Sequence, residues 1–485
     1  MSKVTRRDFF KLAVAGAVVS ACTPVLDEQV LAPETITTPN LPAPDPIVHL
    51  LNRATFGATP QAVADVQAHG IETWLESQFD YTNIRDLETM ARLRRFNTLS
   101  MNPADLLSFA RIPDRVRVSE ELAGATITRA VYSERQLYEK MVHFWSDHFS
   151  IYYFKDTTSQ LQTVDDRDVI RLHALGNFGD MLRASAHSPA MLVYLDNVVN
   201  ELSHPNENYA REIMELHTLG VDGAYTEEDV YEVARCFTGW SVSERGQFQY
   251  RSEWHDEGEK TVLGHTIPAN GGKADGDRVL DILINHPDTA RYLARKLLVR
   301  FIEDEPSEAL VQEIATVWTN AQGHIPTVMR AIFAHDAFWQ APPKFKRPLE
   351  LVLSMMRVLG ARYNGGDGLV TRLAEMGQRP FGNPMPDGYP DVAREWLGNF
   401  LPRWNFVLDV MQGNQPTLSL PINQWVTVAE NDGLDGIARA ILLRPPTQAE
   451  RDAVLQITGE NFRPTNTHTR IALAVLLSSP AFQWR

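Results

Sequence analysis

Helix punctuation is the feature that most limits what this chain can fold into. It is densest in residues 205–240, PNENYAREIMELHTLGVDGAYTEEDVYEVARCFTGW. Asn206 is a good N-cap, because its side-chain oxygen can accept an orphan backbone N–H of the first turn. The helix it opens is predicted to run to Gly220, which suits a left-handed stop. A second helix starts at Thr226, with Asp229 three residues on, an acidic form of the capping box. At about 100° per residue, Glu207, Arg211 and Glu215 share one face of the first helix, with Asn208 and Glu212 beside them. Tyr209, Ile213 and Leu216 take the opposite face, and His217 lands on that apolar side. In the second helix Val230, Val233, Phe237 and Trp240 form the apolar face.

The same punctuation recurs. Thr59-Pro60 opens a helix that Gly70 ends, and Ser133 with Gln136 has capping-box spacing. Helical periods follow at 278–284, 289–302, 307–322 and 326–334, then at 348–363, 391–400, 447–457 and 469–477. One stretch alternates instead. Residues 247–267 run through Phe248, Tyr250 and Ser252, turn at His255-Asp256-Glu257-Gly258 and resume at Lys260 and Val262, which predicts a small hairpin. No glycine–serine linker or composition break forces a division. The expected class is mainly α: one large multi-helix domain over 47–485 with one small β-hairpin.

Residues 1–21 read as an export address. Thr5-Arg6-Arg7-Asp8-Phe9-Phe10-Lys11 resembles the twin-arginine motif. The apolar run after it is shorter than the roughly 20 residues that span a bilayer. Val19-Ser20-Ala21-Cys22 resembles a lipobox, in which Cys22 is lipidated. Residues 22–46 form a proline-rich tether. The expectation is export by the twin-arginine route and anchorage to a membrane through Cys22, on the periplasmic or outer face. Twin-arginine passengers travel folded, many with a cofactor, which points toward a bound metal ion or cofactor. If Cys22 is lipidated, Cys236 has no disulfide partner in the mature chain, and a buried structural thiol is its default reading. The chain has 46 basic and 61 acidic residues, net −15. Loss of the leader removes Lys3, Arg6, Arg7 and Lys11 but only Asp8, so the exported form is more acidic still. That composition disfavours nucleic acid and anionic membrane surfaces as partners.

The Glu207/Arg211/Glu215 face has two readings. In one, two surface helices are laced by ion pairs of about 0.2–0.5 kcal/mol each. In the other, the face lines a pocket in which Arg211 holds carboxylates for acid–base work or metal binding. The pocket reading predicts that Arg211→Ala leaves buried acids unpaired, at about 3–5 kcal/mol. His148 lies on one line with Leu137, Met141 and Phe144. It is either a core histidine bonded to a carbonyl or a ligand or general base. His255 and Asp256, in the predicted turn, are either functional or a solvated turn. There is no G-x-G-x-x-G, P-loop, His-Glu-x-x-His, paired Cys-x-x-Cys or G-x-S-x-G. Common nucleotide, zinc-protease and α/β-hydrolase chemistries are therefore disfavoured.

Several stretches, in order, resemble a bacterial family catalogued as a domain of unknown function, number 1800. They are His49-Leu-Leu-Asn-Arg-Ala-Thr-Phe-Gly-Ala-Thr-Pro60, Phe144-Trp145-Ser-Asp-His148-Phe149, Ser188-Pro-Ala-Met-Leu-Val-Tyr-Leu-Asp196-Asn197, the 205–240 stretch, Lys346-Arg-Pro-Leu-Glu350, Gly377-Gln378 and the closing Ser-Ser-Pro-Ala-Phe482. Pro384-Met-Pro-Asp-Gly-Tyr389 departs from the resemblance by ending in tyrosine where tryptophan is expected. The resemblance implies no reaction. Two classes of function stand. One is an exported, lipid-anchored enzyme, metal-dependent or not, acting on a small molecule or on an envelope or extracellular polymer. Its site would be His148, Glu207, Arg211, Glu212, Glu215, His255 and Asp256. The other is a non-catalytic envelope scaffold or binding partner of another exported enzyme. Convergence of those residues in one cleft favours the first; scatter or solvation favours the second.

Overall fold

The computed structural model describes residues 39–109 and 111–485. The leader, Cys22 and most of the tether lie outside the described residues. The chain is mainly α, as its periodicity requires. Among the described residues no helix is long and apolar enough to cross a membrane.

Two compact units form. One comprises the described part of Met1–Trp74 with Pro342–Gly377 and Val392–Arg485; the other comprises Leu75–Ala341 with Gln378–Asp391. The sequence shows no linker because the chain passes between them four times, the first time inside the helix Ile71–Phe79.

The second unit holds the 205–240 stretch. Asn206 caps the helix Glu207–Glu215 by accepting from the Asn208 N–H. This helix stops at Glu215, short of the expected Gly220, because the His217 N–H turns back to Glu212 O and the Thr218 hydroxyl takes Ile213 O. Thr226 and Asp229 form the capping box of the helix Glu227–Phe237. The helix Gln136–His148 is almost wholly buried. Its predicted box is not made. Ser133 instead closes the preceding helix Ile112–Tyr132 and donates to Asp86 Oδ2 at 2.6 Å. Ala274–Asn285 packs on Glu227–Phe237. Gly276 is required there, since a Cβ would stand 2.3 Å from the Trp240 ring.

The expected single hairpin is replaced by two. Trp240–Val242 pairs with Phe248–Tyr250, and Lys260–Val262 with His265–Ile267. Leu263 and Gly264 both have positive φ, as a two-residue I′-type turn needs. His255–Gly258 is thus the connection between hairpins, and the turn glycine is Gly264. A third strand pair, Arg362–Tyr363 with Leu418–Ser419, lies in the first unit.

The first unit is built around Pro348–Leu359, buried nearly all round. Ile422–Leu442 packs on Asn466–Ser478. The helix expected at 447–457 forms as Gln448–Thr458, capped by a box of Thr447 and Glu450. The expected helix at 391–400 is absent. Two short 3₁₀ turns, Ala393–Glu395 and Leu397–Asn399, bury Ala393 and Trp396, and the α-helix begins only at Phe400. Gly398 and Asn399 are poor helix formers, so burial of the tryptophan decides the local geometry.

Candidate functional site

His148 ends the helix Gln136–His148 in an aromatic cluster with Trp145, Phe149 and Phe178. Its Nε2 lies 3.1 Å from the His217 carbonyl oxygen, so Nε2 carries the proton and donates. Burial, then Lys296 and His217, holds its pKa well below the usual histidine range. His217 behaves alike: burial and Lys296 bring it to about 3. The two rings are 5.9 Å apart, and both are neutral packing elements at ordinary pH.

His255 and Asp256 sit elsewhere, near the end of Glu227–Phe237. His255 Nδ1 is 2.8 Å from Thr238 O, and its Nε2 is 3.3 Å from Asp275 Oδ2. Lys260 donates to the same Asp275 oxygen at 2.8 Å, and all three side chains are fully buried. Lys260 also bonds Asp256 O. Asp256 takes Arg235 Nε at 2.7 Å and the Gly258 N–H at 2.8 Å. Burial opposes its ionisation, but these donors outweigh burial and lower its pKa. This network ties the two hairpins to the helices. Cys236 is buried beside it, and burial pushes its thiol up to about 12, that of an inert thiol.

On the helix Glu207–Glu215 the outer face is solvated. Arg211 donates to Glu207 at 3.2 Å and to Glu227 at 2.7 Å, with side-chain exposures of 34 %, 41 % and 78 %. The closed-cavity expectation for Arg211 is therefore corrected. Exposed pairs hold long side chains in place against screening and entropy, for little net gain. A urea melt of Arg211→Ala is expected to overlay the wild type at neutral and mildly acid pH. A loss that shrinks on acidification would restore the buried reading.

Glu212, one step round the helix, is different. It is half-buried, and burial followed by the negative charges of Glu215 and Asp387 raises its pKa to about 7 against the opposing pull of Arg211. Three separate segments meet here. The helix Pro189–Tyr194 brings Tyr194, whose hydroxyl donates to Pro384 O at 2.9 Å. Its phenol is raised by burial, then by Glu212 and Asp387. The 384–389 loop brings Asp387. Burial, then the charge of Glu215, raises Tyr225 to about 12. Asp196, just after Tyr194, takes Lys155 Nζ at 2.7 Å and Asn208 Nδ2 at 3.1 Å.

The backbone around Glu212 is unusual. Asp156, Asp196 and Phe381 all have positive φ, and non-glycine residues in that region cluster at functional sites. Phe381 O accepts the Tyr153 N–H at 3.1 Å, tying two of these loops together. Gly388, at φ +77°, lies where a Cβ would be 2.0 Å from Asp147 O. Only glycine lets the Asp387 loop approach so closely. The tyrosine standing for tryptophan, Tyr389, donates to Arg379 O at 2.8 Å, so its hydroxyl pins the same loop.

The structure thus brings Glu212 and Glu215 together with Tyr194 and Asp387, which no local spacing could have joined. It leaves Glu207 and Arg211 on the solvated face, His148 in the core beneath the helix end, and His255 with Asp256 in a separate network. Among the described residues no three histidine, cysteine or acidic side chains are grouped to hold a metal ion.

Comparison with known proteins adds the following. A family model described as "Protein of unknown function (DUF1800)" matches residues 49–484. Searches of curated proteins and of solved structures found no significant match.

Proposed function

The chain belongs to this DUF1800 family, and from that premise we propose that it is an exported, lipid-anchored enzyme using Glu212 as its acid–base residue. The substrate class is a neutral, hydroxyl-bearing envelope or extracellular polymer. The observation that carries the reading is half-buried Glu212 in electrostatic contact with Asp387 and with buried Tyr194, whose hydroxyl is bonded to Pro384 of the Asp387 loop. A carboxyl near 7 exists in both protonation states at neutral pH, so it can protonate a leaving oxygen or take a proton from a hydroxyl. Glu215, Asp387 and Asp196 disfavour anionic substrates. Phe154 and Met385 each lie one residue from an atom bonded to or by Tyr194, and at 60 % and 59 % exposed they offer apolar surface to a sugar-like ring. The ordered leader, twin arginine then apolar run then Cys22, supports export and anchorage.

By the criterion of convergence, the scatter of His148, His255 and Asp256 and the solvated Glu207/Arg211/Glu227 face favour the non-catalytic alternative, docking to another exported protein, and the enzyme reading rests on Glu212 and its neighbours alone. One set of cells separates the two. Arg6→Lys with Arg7→Lys is expected to retain the precursor in the cytoplasm, and Cys22→Ala to release the protein from the membrane fraction. Deleting the protein is expected to change polymer composition, and Glu212→Gln, exported at wild-type level, is expected to reproduce that change. Wild-type polymer in the Glu212→Gln cells would favour the scaffold, and membrane attachment surviving Cys22→Ala would remove the lipid anchor.

A further inference from the structure

A second site lies in the first unit. Asn52, Gly57, Ala58, Lys346, Ser354 and Phe482 line a partly enclosed cavity of about 40 Å³, which Ile441, Leu442, Leu443, Ala481 and Trp484 complete. That partly open space admits a small anion of a few heavy atoms. Its walls come from the opening segment, the Lys346–Glu350 segment and the closing segment of the chain. The pairing of Phe345 with Trp484 and the Lys346 N–H bond to Gln483 O fix two of them together. Gly57, at φ +126°, is needed because a Cβ would stand 2.5 Å from Ser354 Cβ. Leu443 is held at φ +55°, a strained conformation for a bulky side chain.

The cavity presents donors without acceptors to match. Lys346 is 5 % exposed. Its Nζ stands 3.7 Å from the Phe482 ring centroid and has no hydrogen-bond acceptor among the described residues. Asn52 Oδ1 accepts the Ala58 N–H at 3.1 Å, and its Nδ2 has no partner among the described residues. Arg403, behind Lys346, donates to Lys346 O at 2.8 Å and stacks on Phe345, while its Nε and Nη2 have no partner among the described residues. Ser354, whose hydroxyl donates to Leu351 O, and the side chains of Ile441, Leu442, Leu443, Ala481 and Trp484 complete a wall that is polar over most of its exposed surface.

We propose that this cavity binds the carboxylate of a short aliphatic acid, held by the Lys346 ammonium and the Asn52 amide, with the alkyl chain against Phe482, Trp484 and Leu443. A bound anion would supply the acceptor that Lys346 lacks. In its absence, burial and then Arg485 lower the Lys346 pKa to about 7, with Arg403 adding to them and Glu350 opposing.

The test is thermal denaturation of the full chain at pH 6 with sodium propionate, sodium phosphate or propylammonium chloride at equal ionic strength. Propionate is expected to raise Tm and propylammonium is not. In Lys346→Met the apparent affinity should fall roughly tenfold or more, the loss of a charge-assisted hydrogen bond. At pH 8 the amine is mostly neutral, so wild-type affinity should fall about tenfold. No protection of the wild type, protection by phosphate in place of propionate, or equal protection of Lys346→Met overturns the proposal. If Lys346→Met does not fold, Asn52→Ala replaces it: weakened protection supports the site, and unchanged protection overturns it. None of these outcomes depends on Glu212.

Discussion

Replacing Asp275 by alanine is expected to destabilise the protein by about 3–5 kcal/mol, among the largest single-residue effects in the chain. Lys260 Nζ lies 2.8 Å from Asp275 Oδ2 and His255 Nε2 lies 3.3 Å from it, and none of the three side chains reaches solvent. Removing the carboxylate leaves a buried ammonium without its counter-charge, and the cost of breaking such a pair is of that size. Replacing both partners, Asp275→Leu with Lys260→Met, should recover most of the loss, because an apolar pair of similar volume needs no desolvation of charge. Urea melts of the single and double variants measure both. A single variant as stable as wild type would mean that this network contributes little to holding the hairpins.

Gly388→Ala is expected to have the largest effect on the Glu212 region. Two costs combine. The left-handed backbone at φ +77° disfavours alanine by roughly 1–2 kcal/mol, and a Cβ there would sit 2.0 Å from a backbone oxygen that has nowhere to move. The loop must lift away from Asp147. That should break the Tyr194 to Pro384 hydrogen bond and withdraw Asp387 from Glu212. A structure of the variant with the loop unmoved would contradict the close approach described here.

How far the sequence revealed this follows from the range of each interaction. Thr226 with Asp229 announced a helix start because a capping box is complete within four residues. The 391–400 period misled because Gly398 and Asn399 weaken the helix there and burial of Trp396 decides the local geometry. The hairpin region showed its strand character, but choosing Gly258 over Gly264 as the turn merged two hairpins into one. Glu212 was visible as a neighbour of the charged face. Its distinction from Glu207 was not, since that depends on Tyr194 and Asp387 from remote segments. Lys346 was visible only as part of a motif, because no periodicity reports a cavity closed by both ends of a domain.

The most direct test of the central claim is a carbon-13 NMR titration of the glutamate carboxylates, with Glu212→Gln to assign the resonance. Glu212 is expected to titrate at about 7 instead of its ordinary 4.5. The midpoint should fall in Glu215→Gln and in Asp387→Asn, where a like charge is removed. A midpoint near 4.5 that none of these changes moves would show that Glu212 is an ordinary surface acid, and the proposed acid–base site would go with it.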